Sequence, residues 1–506
     1  IDPLTPKKWI PYLIQGVNDW QKAFEKAGFK NAIYAKVPNP KDDPEWSLED
    51  ARFSAVVYKP SDVPNASGPS IADPRTGEIL ESHINWYHNV MKLLNDWYFV
   101  QASPNDPRAR KADFDDELMG QLIRFVSSHE VGHTLGLRHN YGSSSTVPVE
   151  NLRNNSWLKA NGHTPSIMDY ARFNYVAQPE DKINVDNLMP RIGDYDDWAI
   201  EWGYRRFYNY NSPEKEKTFI NKWTIEKLQN PRLWFGTETN PYDPRSQSEQ
   251  VGDNPMIAGK YGVKNLQRVI DNLEAWSTKP NEDYSVLADR YNQVSGQFSR
   301  YLGHVAKYIG GVMETPKTVE QKGAVYELVS KAEQKEALKF LNDYVFTTPN
   351  WILKKDVLNK INRTPVDVVS NLQNGVLNRI LMNGVLENLN KGESIDINAY
   401  SLFDYLQDLK SNIFSELKTS SKIDIYRRNL QRSFVDNLLS KTDSATSASI
   451  IRMGSSDNSD VKALVRGTLR DIRNEASKSA SQYSDSVTKY HLEDLVYRID
   501  KALEVK

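Results

Sequence analysis

The chain has 506 residues, of which 39% are hydrophobic and 26% charged, with a formal net charge of −2; this is the composition of an ordinary globular protein, long enough for about two to four domains. Nothing in the charge balance favours nucleic acid, no apolar run approaches the ~18 residues that a bilayer-spanning helix needs, and the absence of cysteine excludes disulfides and thiol catalysis. The first residue is Ile1, so the chain is expected to be a processed piece of a longer polypeptide, with any targeting signal or pro-segment upstream.

From Trp9 to Ala27, apolar residues at Leu13, Val17, Trp20 and Phe24 mark one face of an amphipathic helix, and Gly28 follows as a stop signal. Ala32–Val37 and Phe53–Lys59 read as strands separated by a polar, proline-containing loop. After the turn Asp73-Pro74-Arg75-Thr76-Gly77, the stretch Glu78–Tyr87 alternates. Leu80, Ser82, Ile84 and Trp86 share one side, and the mostly polar Ile79, Glu81, His83 and Asn85 the other. An edge strand, or one bordering a cleft, is expected there. Val90–Val100 reads as a helix, and Asp113 is the expected cap of the next one, with Asp115, Asp116 and Glu117 suited to its positive end.

That helix carries the informative stretch. Leu118, Leu122, Phe125 and Val126 form a stripe leading into His129-Glu130-Val131-Gly132-His133-Thr134-Leu135-Gly136-Leu137-Arg138-His139. His129 and His133 stand four residues apart, one turn above the other on one helix face, so both imidazoles can address a single ion. Gly136 can take the positive φ that ends a helix, which brings His139 round as a third ligand. Three histidines leave the fourth position of a tetrahedral zinc open, as catalysis requires, and Glu130 is placed to take a proton from water there. With five fixed positions, a chance match in a chain of this length has a probability on the order of one in ten thousand.

Beyond His139 the chain is loop-like, and Ser166-Ile167-Met168-Asp169-Tyr170 forms a second compact motif. Asp194–Tyr204 reads as a helix, and Tyr210 to Gly259 as irregular, with Asn240-Pro241-Tyr242-Asp243-Pro244 and Gly252-Asp253-Asn254-Pro255 as loops. From Val263 the pattern is almost entirely helical: Leu287, Tyr291, Val294, Phe298, Tyr301, Val305 and Tyr308 follow the steps of a bundle helix, and similar stripes run to Leu503.

His129–His139 followed by Ser166–Tyr170 resembles the metzincin clan of zinc endopeptidases, and with its long helical carboxy-terminal region the chain is most similar to the large exported zinc-dependent metalloproteases of Bacteroidetes-type bacteria. The resemblance implies an α+β fold: a metzincin-like catalytic domain with a twisted mixed sheet and a zinc helix over 1–209, its upper half spanning 1–139 and its lower half, with the Met-turn, 140–209. An irregular connector over 210–260 and an α-helical domain over 261–506 follow. It implies Met168 as the hydrophobic base beneath the zinc and Tyr170 as a residue that contacts the zinc or the reacting oxyanion. The residue after the third histidine is Asn140, which departs from the well-characterised families.

The function expected is hydrolysis of a protein or peptide substrate by a zinc-activated water. Zinc is held by His129, His133 and His139, Glu130 acts as general base and acid, and Tyr170 assists. The substrate is expected to add as a strand along Glu78–Trp86. Export to the periplasm, the outer membrane or the medium follows from the resemblance. The alternatives are a catalytically idle zinc-containing binding protein of the cell envelope and a zinc hydrolase of a non-peptide amide. His83, His88 and His163 are read as structural, and His304 and His491 are assigned no chemistry. The acidic runs Asp113–Glu117 and Asp194–Asp197 are read as helix-start charges, with a structural calcium ion there or in Asp243–Asp253 as a weaker expectation.

Overall fold

In the computed structural model the described residues are 1–237, 240–442 and 459–503. The chain divides into two compact units, one formed by Ile1–Thr239 with Arg245–Val294 and the other by Asn240–Pro244 with Ser295–Lys506.

The first unit is organised by the burial of the motif helix. The apolar stripe entering from the amino-terminal sequence does form, but as two helices, α1 (Ile10–Asn18) and α2 (Gln21–Lys26), broken at Asp19 and Trp20. The break lets the buried Trp20 turn inward and donate its indole N–H to the carbonyl of Ser128, 2.8 Å away. Extended Ala32–Val37 joins no sheet. Its backbone is satisfied locally, with Ile33 and Ala35 N–H donating to the side chains of Gln21 and Asn18, so β-like composition finds no ladder.

The mixed sheet contains β1 (Ala55–Lys59), β2 (Ala66–Ser67), β3 (Ser70–Ala72) and β4 (Ile79–Tyr87). β4 pairs in parallel with β1, Ala55 opposite His83, and antiparallel with β2 and β3 on its other side. The expectation of an edge strand at Glu78–Tyr87 is therefore corrected: β4 is central, and β2–β3 form the antiparallel edge. Alternation reports which face is buried, here Ser82, Ile84 and Trp86, and says nothing about lateral neighbours.

After α3 (Val90–Ala102) comes the motif helix α4 (Asp116–Thr134). Its cap is Asp115 and not Asp113: the Asp115 carboxylate accepts from Leu118 N–H at 2.9 Å. Helix α4 lies against α1 at close range. A Cβ on Gly16 would stand 2.5 Å from the Ser127 Cβ and 2.8 Å from the Arg124 carbonyl oxygen, and Ser127 Oγ donates to the Leu13 carbonyl at 3.1 Å. The guanidinium of Arg124 clasps the carboxylate of Asp19 at 2.6 Å.

Further along are α5 (Asn155–Asn161), α6 (Asp194–Tyr204), α7 (Pro213–Lys227) and α8 (Pro255–Ser277). The expectation of irregular chain from Tyr210 to Gly259 is thus corrected over α7, where Ser212 caps and Pro213 starts a helix whose polar sequence buries no residue and so shows little periodicity. Helix α8 is held to the first unit by Asn265, which donates to the carbonyls of Tyr175 and Ala177 at 2.9 and 2.8 Å.

Among its described residues the second unit is helical apart from a short antiparallel pair, Val312–Glu314 with Tyr326–Leu328. Pro365–Ile380 packs on Ile425–Leu439, and Val461–Ala480 on Ser486–Ala502, so the apolar stripes are a bundle core. Residues 443–458, inside the expected helical region, lie outside the described residues. No helix among the described residues is long and apolar enough to cross a membrane.

Gly16→Ala tests the α1–α4 contact. Helix propensity alone would stabilise by about 1 kcal/mol, whereas overpacking against Ser127 and the Arg124 backbone is expected to destabilise by about 1–3 kcal/mol, read from the urea midpoint of the purified variant.

Candidate metal centre

His129 and His133 leave α4 one turn apart. The helix ends at Thr134, and Gly136 at φ +87° turns the chain back. His139 thereby reaches the other two: its Nε2 lies 3.2 Å from Nε2 of His129 and 3.1 Å from Nε2 of His133. This trio is the one group of three or more His, Asp or Glu among the described residues close enough to share an ion; the acidic runs considered for calcium form none.

The far side of each ring is already engaged. His129 Nδ1–H donates to the carbonyl of Ile167 at 2.8 Å, His133 Nδ1–H to that of Leu137 at 3.0 Å, and His139 Nδ1 pairs with the Tyr141 hydroxyl at 2.9 Å. A carbonyl only accepts, so the Nδ1 of His129 and His133 must carry the proton and their Nε2 atoms present lone pairs. Facing lone pairs at this separation repel unless a cation sits between them. Tetrahedral zinc with Zn–N bonds of about 2.0–2.1 Å places its nitrogens ~3.3 Å apart, so the donor set fits the ion. Burial and mutual repulsion push His129 down to about 3 and His139 down to about 4, so the trio stays neutral and ready to ligate near pH 7.

Glu130 is 7% exposed. Burial pushes its carboxyl up to about 7, opposed by a hydrogen bond from the Gly68 backbone N–H. Gly68, between β2 and β3, runs so close to α4 that a Cβ there would lie 2.4 Å from the Glu130 carbonyl oxygen. The edge of the sheet therefore borders the carboxylate directly.

Beneath the trio, Met168 is fully buried, and its sulfur would be 2.3 Å from a Cβ on Gly132; glycine between the two helical histidines lets the methionine turn pack flat against α4. Two anchors fix that turn. Asp196, on α6, accepts from Ser166 Oγ at 2.6 Å and from Ile167 N–H at 2.7 Å, and also from Gly193 N–H at 2.9 Å at its own helix start. The expected helix-start role of Asp194–Asp197 is thus joined by a second one. Asn140 is the other anchor: its N–H donates to the Met168 carbonyl, and its side chain donates to Trp234 O and accepts from Gly236 N–H.

Tyr170 closes the turn in the left-handed region, φ +62°. Its ring meets those of His139 and His129 edge-on, with centroids 5.0 and 5.6 Å away. The other histidines stay outside the site. His83 contacts Glu81 at 3.0 Å, His88 pairs with the Tyr58 hydroxyl, and His163, fully buried, donates to the Arg172 carbonyl. In the second unit, His491 pairs with Gln431.

Several neighbours carry no motif: Tyr141, Gly68, Asp196 and a buried pair formed by Arg172 and Glu249, whose charged atoms are 2.9 Å apart. Glu249 belongs to a stretch threading past the site, where Gln247 N–H donates to Tyr141 O and Glu249 N–H to Tyr170 O.

A three-histidine centre on a helix, an adjoining carboxylate and a methionine turn beneath define a zinc-metallopeptidase-like domain. The chain belongs to the Met-zincin family, whose profile matches residues 111–421, more than half of the sequence and all of the motif region. Comparisons with curated proteins and with solved structures give no match.

Asn140→Ala would leave Trp234 O and Gly236 N–H without their partner. An unfolding free energy lower by about 2–4 kcal/mol is expected, with weaker zinc retention against a chelator; unchanged values for both would remove Asn140 as an anchor.

Proposed function

We propose that the protein is a zinc-dependent endopeptidase whose activity resides in the first unit. The observation that carries this reading is the convergence of the three histidine Nε2 atoms beside the buried carboxyl of Glu130. Zinc bound by His129, His133 and His139 would supply Lewis-acid polarisation of the scissile carbonyl and acidify a water molecule.

The chain's own groups supply the rest. Glu130 takes a proton from the attacking water at a carboxylate oxygen and returns it to the nitrogen of the departing amine, a role worth about 10²–10⁴ in rate. The Gly68 N–H orients that carboxylate. Tyr170, edge-on to two of the histidines, offers its hydroxyl to the oxygen on which negative charge develops. An extended peptide pairs with the open edge of β2–β3, next to Glu130, rather than with β4, which has neighbours on both sides.

Glu130→Gln keeps shape and removes the base. Zinc content is expected to stay at one per chain while cleavage of casein falls by at least about 10², and Tyr170→Phe is expected to lower kcat by about 10²-fold with zinc retained. Undiminished cleavage by E130Q would remove Glu130 from the chemistry. A zinc-loaded wild type that cleaves neither casein nor a peptide library would contradict the peptidase reading.

A further inference from the structure

Between the inner face of β4 and the helices beneath it, the first unit holds a cavity of about 300 Å³, open to solvent on one side. Small-molecule sites begin at about this volume. Val131 and Thr134 reach it from α4. With about 3.6 residues per turn, they point to the side of the helix opposite His129 and His133. The cavity is therefore separate from the metal centre and from the cleft beside Glu130.

Its floor is apolar: Val17 from α1, Val56 from β1 and Ile84 from β4 are all buried. Its roof is the chain between Lys26 and Ala55, where no helix or strand forms. A stretch of more than about 15 residues with neither, inside a compact domain, usually serves a function. It contributes Ile33, Trp46 and Phe53, each half-buried, and Tyr34, 71% exposed, at the mouth.

The floor carries one orphaned polar atom. Ser82 is 5% exposed, and its Oγ has no hydrogen-bond partner; its N–H donates to Ser54 Oγ at 3.1 Å. Buried hydroxyls are nearly always paired, and water at this one would find few further partners among apolar walls. The charged groups around the cavity are already engaged: Arg52 pairs with Asp50 at 2.6 Å, Lys36 pairs with Asp43, and the Ile1 nitrogen donates to the Lys36 carbonyl at 2.7 Å. None of them selects an anion. What the cavity offers a ligand is apolar and aromatic contact and a single hydroxyl.

We propose that this cavity binds a small, uncharged aromatic molecule bearing one hydrogen-bonding group, with its ring among Ile84, Trp46 and Phe53 and its polar atom on Ser82 Oγ. Such binding is independent of the peptidase reading.

The test is titration of the zinc-loaded full chain with phenol and with toluene, followed by saturation-transfer NMR. Both probes are expected to bind the wild type. Ser82→Ala removes one oxygen and is expected to lower the ratio of phenol to toluene affinity by about threefold or more, the gain from one hydrogen bond. Ala35→Trp, at a half-buried roof position whose backbone N–H stays on the Asn18 side chain, is expected to fill the mouth and abolish binding of both. Failure of both probes to bind the wild type, an affinity ratio unchanged in S82A, or undiminished binding to A35W would each overturn the proposal. Should A35W not fold, as judged by circular dichroism, the ratio in S82A decides.

Discussion

Three imidazole Nε2 atoms pointing at one another, those of His129 and His133 as lone pairs, form an arrangement that a protein does not adopt without support, and much of the first unit supplies that support. The Nδ1 atoms of His129 and His133 are bound to the carbonyls of Ile167 and Leu137, which fixes both ring orientation and tautomer, and that of His139 to Tyr141, which fixes its ring orientation. Ile167 belongs to the methionine turn, so the orientation of the first histidine depends on where that turn lies. The turn is fixed by Asp196 from one side and Asn140 from the other, while Gly132 lets Met168 press directly on the helix. Rigidity of the centre is thus a property of the packing of α1, α4 and α6 around it.

The same centre depends on chain far downstream in sequence. Trp234 and Gly236 bracket the Asn140 side chain, and Glu249 fixes both the Tyr170 carbonyl and the Arg172 guanidinium. Burying the Arg172–Glu249 pair carries a desolvation cost that is offset only in good geometry. Here the stacked Trp97 and the Gln101 amide provide it. What looks like a connector in the sequence therefore forms one wall of the site.

The histidines, Glu130 and Met168 were legible because their information is local: a four-residue spacing on a helix, a glycine that reverses the chain and a turn with its own signature. The strand at Ile79–Tyr87 was legible as a strand but not as a central one, since alternation is the same for either. Asp115 rather than Asp113 caps α4, a choice among neighbouring acids that only backbone geometry decides. Glu249 was not legible at all, because the groups it orients lie on other segments and no spacing rule links them; Tyr141 stands only two residues from His139, but its contact depends on how the chain turns beyond the helix. Gly68 was missed for a similar reason: its need for a bare Cα comes from the backbone of Glu130, over sixty residues away in sequence.

The central claim is that the three Nε2 atoms bind one zinc ion. X-ray absorption at the zinc edge of the loaded full chain, with metal content measured in parallel, addresses it most directly. One zinc per chain with three imidazole nitrogens at about 2.0–2.1 Å and a remaining oxygen donor is the predicted result. Substoichiometric metal after loading, or a coordination shell with fewer than three imidazoles, would contradict it.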